Sequence, residues 1–115
     1  MSDTEIRKRR IDTCRALIRH REMIGQILGF ALCPCPTWDM LLDLYLAELE
    51  GYETYLWPLC MAAHVPCATA YRKIAILERD GLVTKVIDDR DHRRTALRVS
   101  DNLYRKINIL LDQIQ

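Results

Sequence analysis

The sequence predicts a mainly α chain with one small β-hairpin, an α+β fold in which a helix-turn-helix runs directly into a wing. Three observations carry this prediction. Between Pro58 and Gly81 two short helical stretches are separated by Val65-Pro66, and the residue before a proline is pushed out of the α region. Two β-prone runs follow, 82–87 and 95–99, around the polar tip Asp88-Asp-Arg-Asp-His-Arg-Arg94. An apolar stripe at helical spacing precedes this unit, and a shorter one follows it. The expected organisation is one domain over 1–115, with an N-terminal helix and Cys-Pro turn in 1–36, a winged helix-turn-helix core in 37–99 and a C-terminal helix in 100–115.

Taken in order, Ser2-Asp-Thr-Glu5 has the spacing of a capping box. The helix it opens is expected to reach about Leu32, because Ile11, Cys14, Leu17, Ile18, Ile24, Ile27, Leu28 and Ala31 recur on one side. A helix that long projects beyond a small domain, so its stripe is expected to pack on a second copy of the chain as well as on its own core. Gly25 and Gly29, one turn apart, would allow close backbone approach there. Cys33-Pro-Cys-Pro36 should stop the helix, and Thr37 should cap the next, which carries Trp38, Leu41, Leu42, Tyr45, Leu46 and Leu49 and ends at Gly51. Residues 53–56 suit a brief third strand. Pro58 suits the first position of a helix, where its missing N–H has no partner anyway. The second helix of the pair is expected over 67–79, with Gly81 as its left-handed stop. Ser100 should cap the last helix, which presents Leu103, Ile107, Leu110, Leu111 and Ile114.

Functional weight falls on helix 67–79. At ~100° per residue, Ala70, Ile74 and Leu77 define an inward face. Ala68, Arg72, Ala75, Ile76 and Arg79 lie opposite, with Thr69 and Tyr71 on the flanks and Lys73 near the core edge. Small residues between basic ones let a helix approach a groove closely while a guanidinium reaches base edges. An ordinary amphipathic helix with solvated charges has the same pattern, and the wing decides between them. Arg90, Arg93 and Arg94 on a narrow hairpin suit phosphate contact or a minor groove, whose negative potential attracts arginine. His92 at the same tip can reach a phosphate. Arg93 can alternatively be held by Asp88 or Asp91 and stiffen the wing.

Net charge is only +1, so the distribution matters more than the total. Arg7 to Arg21 holds seven Lys or Arg; Met23 to Tyr71 holds none, against Asp39, Asp43, Glu48, Glu50 and Glu53; Arg72 to Arg98 holds eight. An acidic middle beside a basic helix and wing suits a body facing solvent and a separate surface facing phosphate. The run Arg7-Lys-Arg-Arg10 is either an arm for the DNA backbone or a solvated helix face.

These residues resemble a known family. The segment from about Trp38 to Asp101 is similar to the DNA-binding domain of MarR-type transcription regulators, through Thr69 and Arg72, then Leu77-Glu-Arg-Asp-Gly-Leu-Val83, then the wing pattern Asp88-x-x-Asp91-x-Arg93. Where such proteins carry a Leu-Thr-x-x-Gly-like start to the next helix, this chain has Val99-Ser-Asp-Asn-Leu103, keeping the capping hydroxyl without the glycine. The resemblance implies a homodimer, joined through its N- and C-terminal helices, that binds double-stranded DNA and regulates transcription. Helix 67–79 would lie in the major groove, and wing 82–99 at the flanking minor groove.

No apolar run reaches the ~18 uncharged residues of a membrane span, and the basic start lacks a signal-peptide core, so the expected compartment is the cytoplasm with no membrane partner. Cys33-Pro-Cys35 lacks the spacing of a zinc ribbon, and no metal or other cofactor is expected. Cys14 and Cys60 fall among core positions. Cys33, Cys35 and Cys67 are the candidate redox residues, Cys67 because it opens a helix. No triad order, paired carboxylates or glycine-rich phosphate loop is present, so catalysis is not expected. Two other readings stay open: a protein-interaction module working through the acidic helix 37–50, and a ligand- or oxidant-responsive sensor acting through the dimer interface.

Overall fold

A computed structural model describes residues 1–87, 90 and 94–114. The elements run α1 (Asp3–Leu28), α2 (Pro36–Glu50), β1 (Thr54–Tyr55), α3 (Leu56–Ala62), α4 (Cys67–Arg79), β2 (Val83–Ile87), β3 (Thr95–Val99) and α5 (Asp101–Gln113). Helix α2 is the centre of the core, burying Met40, Leu42, Leu44, Tyr45, Leu46 and Leu49. Around it pack Cys14 of α1, Leu59 and Cys60 of α3, Ile74 and Leu77 of α4, Leu97 and Val99 of β3, and Ile107 and Leu111 of α5. The sheet has the order β1-β3-β2 with antiparallel pairing throughout. The expected third strand is thus β1, matching Thr54 to Leu97 and Tyr55 to Ala96.

Local chemistry fixes most boundaries. The Ser2 and Ser100 hydroxyls accept from the N–H groups of Glu5 and Leu103 at 3.2 and 3.1 Å, satisfying donors that a helix start leaves open. Gly51 ends α2 at φ +78°, and Gly81 follows α4 at φ +73°. Beyond α4 the Leu82 N–H donates to the Leu77 carbonyl at 2.8 Å and the Gly81 N–H to the Glu78 carbonyl at 3.0 Å. This paired closure is a Schellman motif, and it aims the chain straight into β2.

Three boundaries differ from the sequence expectation. Helix α1 stops at Leu28 rather than near Leu32, because Gly29 turns to φ +98° while its N–H still reaches the Gly25 carbonyl. The chain then folds back so that the Phe30 ring covers Gly25, where a Cβ would overlap it, and stacks on His64 at 4.2 Å between centroids. Gly25 therefore makes room for this chain's own Phe30, and Gly29 is a stop signal. Helix α2 starts at Pro36 with Cys35 as its N-cap, so Thr37 lies inside the first turn. Helix α3 starts at Leu56, two residues before Pro58. The proline occupies the third position, where an N–H is still unused within the helix.

Candidate nucleic-acid interface

The helix-turn-helix is α3 and α4, joined through His64, which sits at φ +57°. Ala70, Ile74 and Leu77 are buried against the core. Ala68, Arg72, Lys73, Ala75, Ile76 and Arg79 are exposed or nearly so, and Lys73 lies outside the core edge rather than at it. Thr69 is half-buried and accepts from Arg72 Nη2 at 3.3 Å, which holds the guanidinium over the first turn of α4. Tyr71 is exposed on the side facing the wing, where it lines a cleft with Arg94. Arg79 pairs with its neighbour Asp80 at 3.2 Å, and Lys85 of β2 with Glu78 at 3.4 Å, both exposed.

The wing is β2 and β3, in register from Val83 opposite Val99 to Ile87 opposite Thr95. Arg94 stacks its guanidinium over the Tyr55 ring at 3.9 Å from the centroid, and Tyr55 Oη donates to Glu53 Oε2 at 2.9 Å. Arg90 is exposed and shares a cleft with Glu53, Tyr55 and Arg94 at the tip end of the hairpin. The expected roles of His92 and Arg93 in contacting DNA, and of Asp88 and Asp91 in stiffening the wing, fall on residues outside those described. Tyr55 and Trp57 belong to this surface although the sequence pattern does not single them out. Their signal is a pair of aromatics flanking the start of α3, which periodicity reads only as a strand.

Five other arginines are bonded within the chain, four of them to its own acids. From α1, Arg21 Nε donates to Asp39 Oδ1 at 2.8 Å and Arg21 Nη2 to the Cys33 carbonyl at 2.8 Å; Arg15 pairs with Glu50; Arg7 Nε donates to the Leu49 carbonyl at 2.7 Å. Arg10 grips Asp112 of α5 through two bonds of 2.9 and 2.8 Å, raising its own pKa and lowering that of Asp112. Arg98 of β3 makes the same two-pronged contact with Glu48 of α2 at 2.7 and 2.9 Å. Arg7 and Arg10 are thus committed to holding the helices together, which takes two of the four charges from the supposed N-terminal arm. The acidic helix is likewise no open docking face: Asp39, Glu48 and Glu50 are paired. Asp43 is half-buried, its pKa raised by desolvation and then by Glu22. Arg72 and Lys73 of α4 stay exposed.

Of the cysteines, Cys33 is exposed, Cys35 and Cys67 are half-buried, and Cys14 and Cys60 are buried. Burial, then the charges of Asp43 and Glu50, push the Cys14 thiol up to about 12. Among the described residues no group of three or more His, Cys, Asp or Glu is arranged to hold a metal ion. Nor is any described helix long and apolar enough to cross a membrane.

The chain matches no protein-family model and no curated protein sequence. Solved structures do resemble it. AF1382 from Archaeoglobus fulgidus aligns over 75% of this chain and 96% of its own, with a TM-score of 0.56 at 17% identity. A point mutant of MepR from S. aureus aligns over 84% of this chain and 68% of its own, with a TM-score of 0.58 at 18% identity. The adhesin competence repressor AdcR from Streptococcus pyogenes aligns over 82% and 68%, with a TM-score of 0.51 at 18% identity. This chain has the MarR-type winged-helix fold. In that MarR-type frame α4 is the second helix of the helix-turn-helix, and β2 and β3 form the wing that follows it.

Proposed function

We propose that the chain binds double-stranded DNA as a homodimer and regulates transcription. Helix α4 enters the major groove with Arg72 at a base edge or phosphate and Ala68, Thr69, Tyr71 and Lys73 alongside, while Arg79 takes the backbone. Arg90, His92, Arg93 and Arg94 of the wing take the flanking minor groove. The single observation that supports this reading is the sorting of charge. Arg7, Arg10, Arg15, Arg21 and Arg98 are bonded to other parts of the chain, while α4 presents Arg72 and Lys73 outward beside two alanines. A face of that composition lowers its energy by displacing counterions from DNA. The likeness to AdcR, a repressor by name, fits the same use.

Self-association is supported by apolar side chains the fold leaves uncovered. Ile27 and Leu28 at the end of α1, Leu32 beyond it, and Ile109, Leu110 and Ile114 toward the C-terminus are all exposed. A two-fold dimer would place the paired α4 helices about 34 Å apart, on successive major grooves of one DNA face.

The test is fluorescence anisotropy with random-sequence duplex across a salt series, alongside sedimentation of the free protein. A dimer whose affinity falls steeply with salt is expected, followed by selection of a two-half-site operator from a random library. Flat, weak binding by a folded protein overturns the reading.

A further inference from the structure

We infer that the cleft between the helix-turn-helix and the tip end of the wing strands takes a single unpaired nucleobase, so that an extrahelical base in DNA is bound in preference to an intact duplex. This rests on the DNA reading above and adds a ligand site to it. The cleft has a volume of about 430 Å³ and is walled by Trp57 and Pro58 of α3, Tyr71 of α4, and Tyr55, Arg94 and Thr95 at the strand ends. Trp57 is 58% exposed and Tyr71 39% exposed, so two large rings stand open to water in one concavity.

The composition selects the occupant. Every base has a π face that stacks on an aromatic ring, and nucleotides bind where aromatic walls meet a positive groove. Trp57 and Tyr71 supply the walls. Arg94 brings positive charge to the rim, and the Thr95 hydroxyl offers both a donor and acceptors to a base edge. An aliphatic segment would meet this charge without using it, whereas a nucleotide uses ring and phosphate together. Tyr55 is held from both sides, by Glu53 on its hydroxyl at 2.9 Å and by Arg94 on its face at 3.9 Å, so part of the wall is ordered before anything binds. The cleft opens beside α4: Tyr71 lines it, and the exposed Arg72 is the next residue of that helix. A paired base has to leave its stack to enter, and that penalty is least for a base already unpaired.

The experiment compares the affinity of the full chain for a short duplex with one bulged thymine against the same duplex fully paired, for wild type, Trp57→Ala and Trp57→Phe. About tenfold tighter binding of the bulged duplex is expected, in line with one base stacked on an aromatic side chain. Trp57→Ala should remove that preference, so that bulged and paired duplexes bind with equal affinity, while Trp57→Phe keeps most of it. Equal, salt-dependent affinity of wild type for both duplexes overturns the cleft assignment and leaves the DNA reading standing. A preference that survives Trp57→Ala overturns the assignment too. Binding of neither duplex in a salt-dependent way removes both readings at once.

Discussion

Replacing Arg21 by methionine removes the guanidinium that ties α1, the 29–35 loop and the start of α2 together, while keeping most of the side-chain length. Arg21 is 15% exposed and Asp39 5% exposed, so the carboxylate left behind is nearly withdrawn from water. Breaking a buried pair by removing one partner costs about 3–5 kcal/mol. Asp39 lies in the first turn of α2, where the positive end of the helix offsets about 1 kcal/mol of that. The Cys33 carbonyl, which accepts from Arg21 Nη2 at 2.8 Å, faces the loop edge and can take water instead. The expected loss is therefore about 3 kcal/mol, a large part of the ~5–15 kcal/mol by which domains are stable. Urea unfolding followed by circular dichroism reads it as a lower midpoint at unchanged slope. Adding Asp39→Leu to Arg21→Met should recover about 2 kcal/mol, since no charge then remains buried. A loss below about 1 kcal/mol for Arg21→Met, the value of an exposed pair, would mean instead that Asp39 is hydrated and the pair is not buried.

Other consequences are equally open to measurement. Cys33 is expected to react quickly with a thiol reagent in the folded protein, while Cys14 and Cys60 react only on unfolding, because a thiol pushed up to about 12, as Cys14 is, stays almost wholly protonated at neutral pH; fast labelling of Cys14 contradicts its placement. The same shift sets an alkaline limit. A pKa raised from 9.0 to about 12 adds stability that is complete below pH 9 and lost between pH 9 and 12, by about 1.4 kcal/mol per pH unit. Tyr45, also raised by burial, acts in the same direction, so a flat stability profile across that range would exclude both. Gly25→Ala should displace Phe30 from His64, visible as a shift of a fluorine label on the chain's one phenylalanine toward its unfolded position. Better helix propensity, worth about 1 kcal/mol, should roughly offset the weakened ring packing in overall stability.

The parts of the fold legible in the sequence are those written by near neighbours. Helix α4 has the expected bounds because Pro66 and Gly81 punctuate it and Ala70, Ile74 and Leu77 repeat at helical spacing within it. Ser2 and Ser100 cap as expected, since a cap needs only a hydroxyl and an N–H three residues away. What long-range packing decides is not legible. Phe30 returning onto Gly25 accompanies the early end of α1, and no local rule brings a side chain back over the turn it has just left. The charge runs show segregation along the chain but not its destination: Arg21 finds Asp39, Arg98 finds Glu48, and Arg10 finds Asp112 only once the helices pack. Thus part of the basic N-terminus is spent on the acidic middle, while Arg72 and Lys73 of α4 remain exposed. On the candidate site the outward residues of α4 are legible from the helical period alone. The cleft of Trp57, Tyr71 and Arg94 is not, because its walls come from separate elements.

DNA seated on α4 and the wing would distinguish two variants that lose the same charge from different places. Arg72→Ala removes an outward arginine of α4; Arg15→Ala removes one that faces Glu50 on α2. Plotted as log affinity against log salt, the slope should fall by about 0.9 for Arg72→Ala if its guanidinium neutralises one phosphate, or affinity should drop at constant slope if Arg72 reads a base. For Arg15→Ala both slope and affinity should match wild type. A weakening equal in the two variants, or larger for Arg15→Ala, would contradict the account and place the nucleic acid on another face.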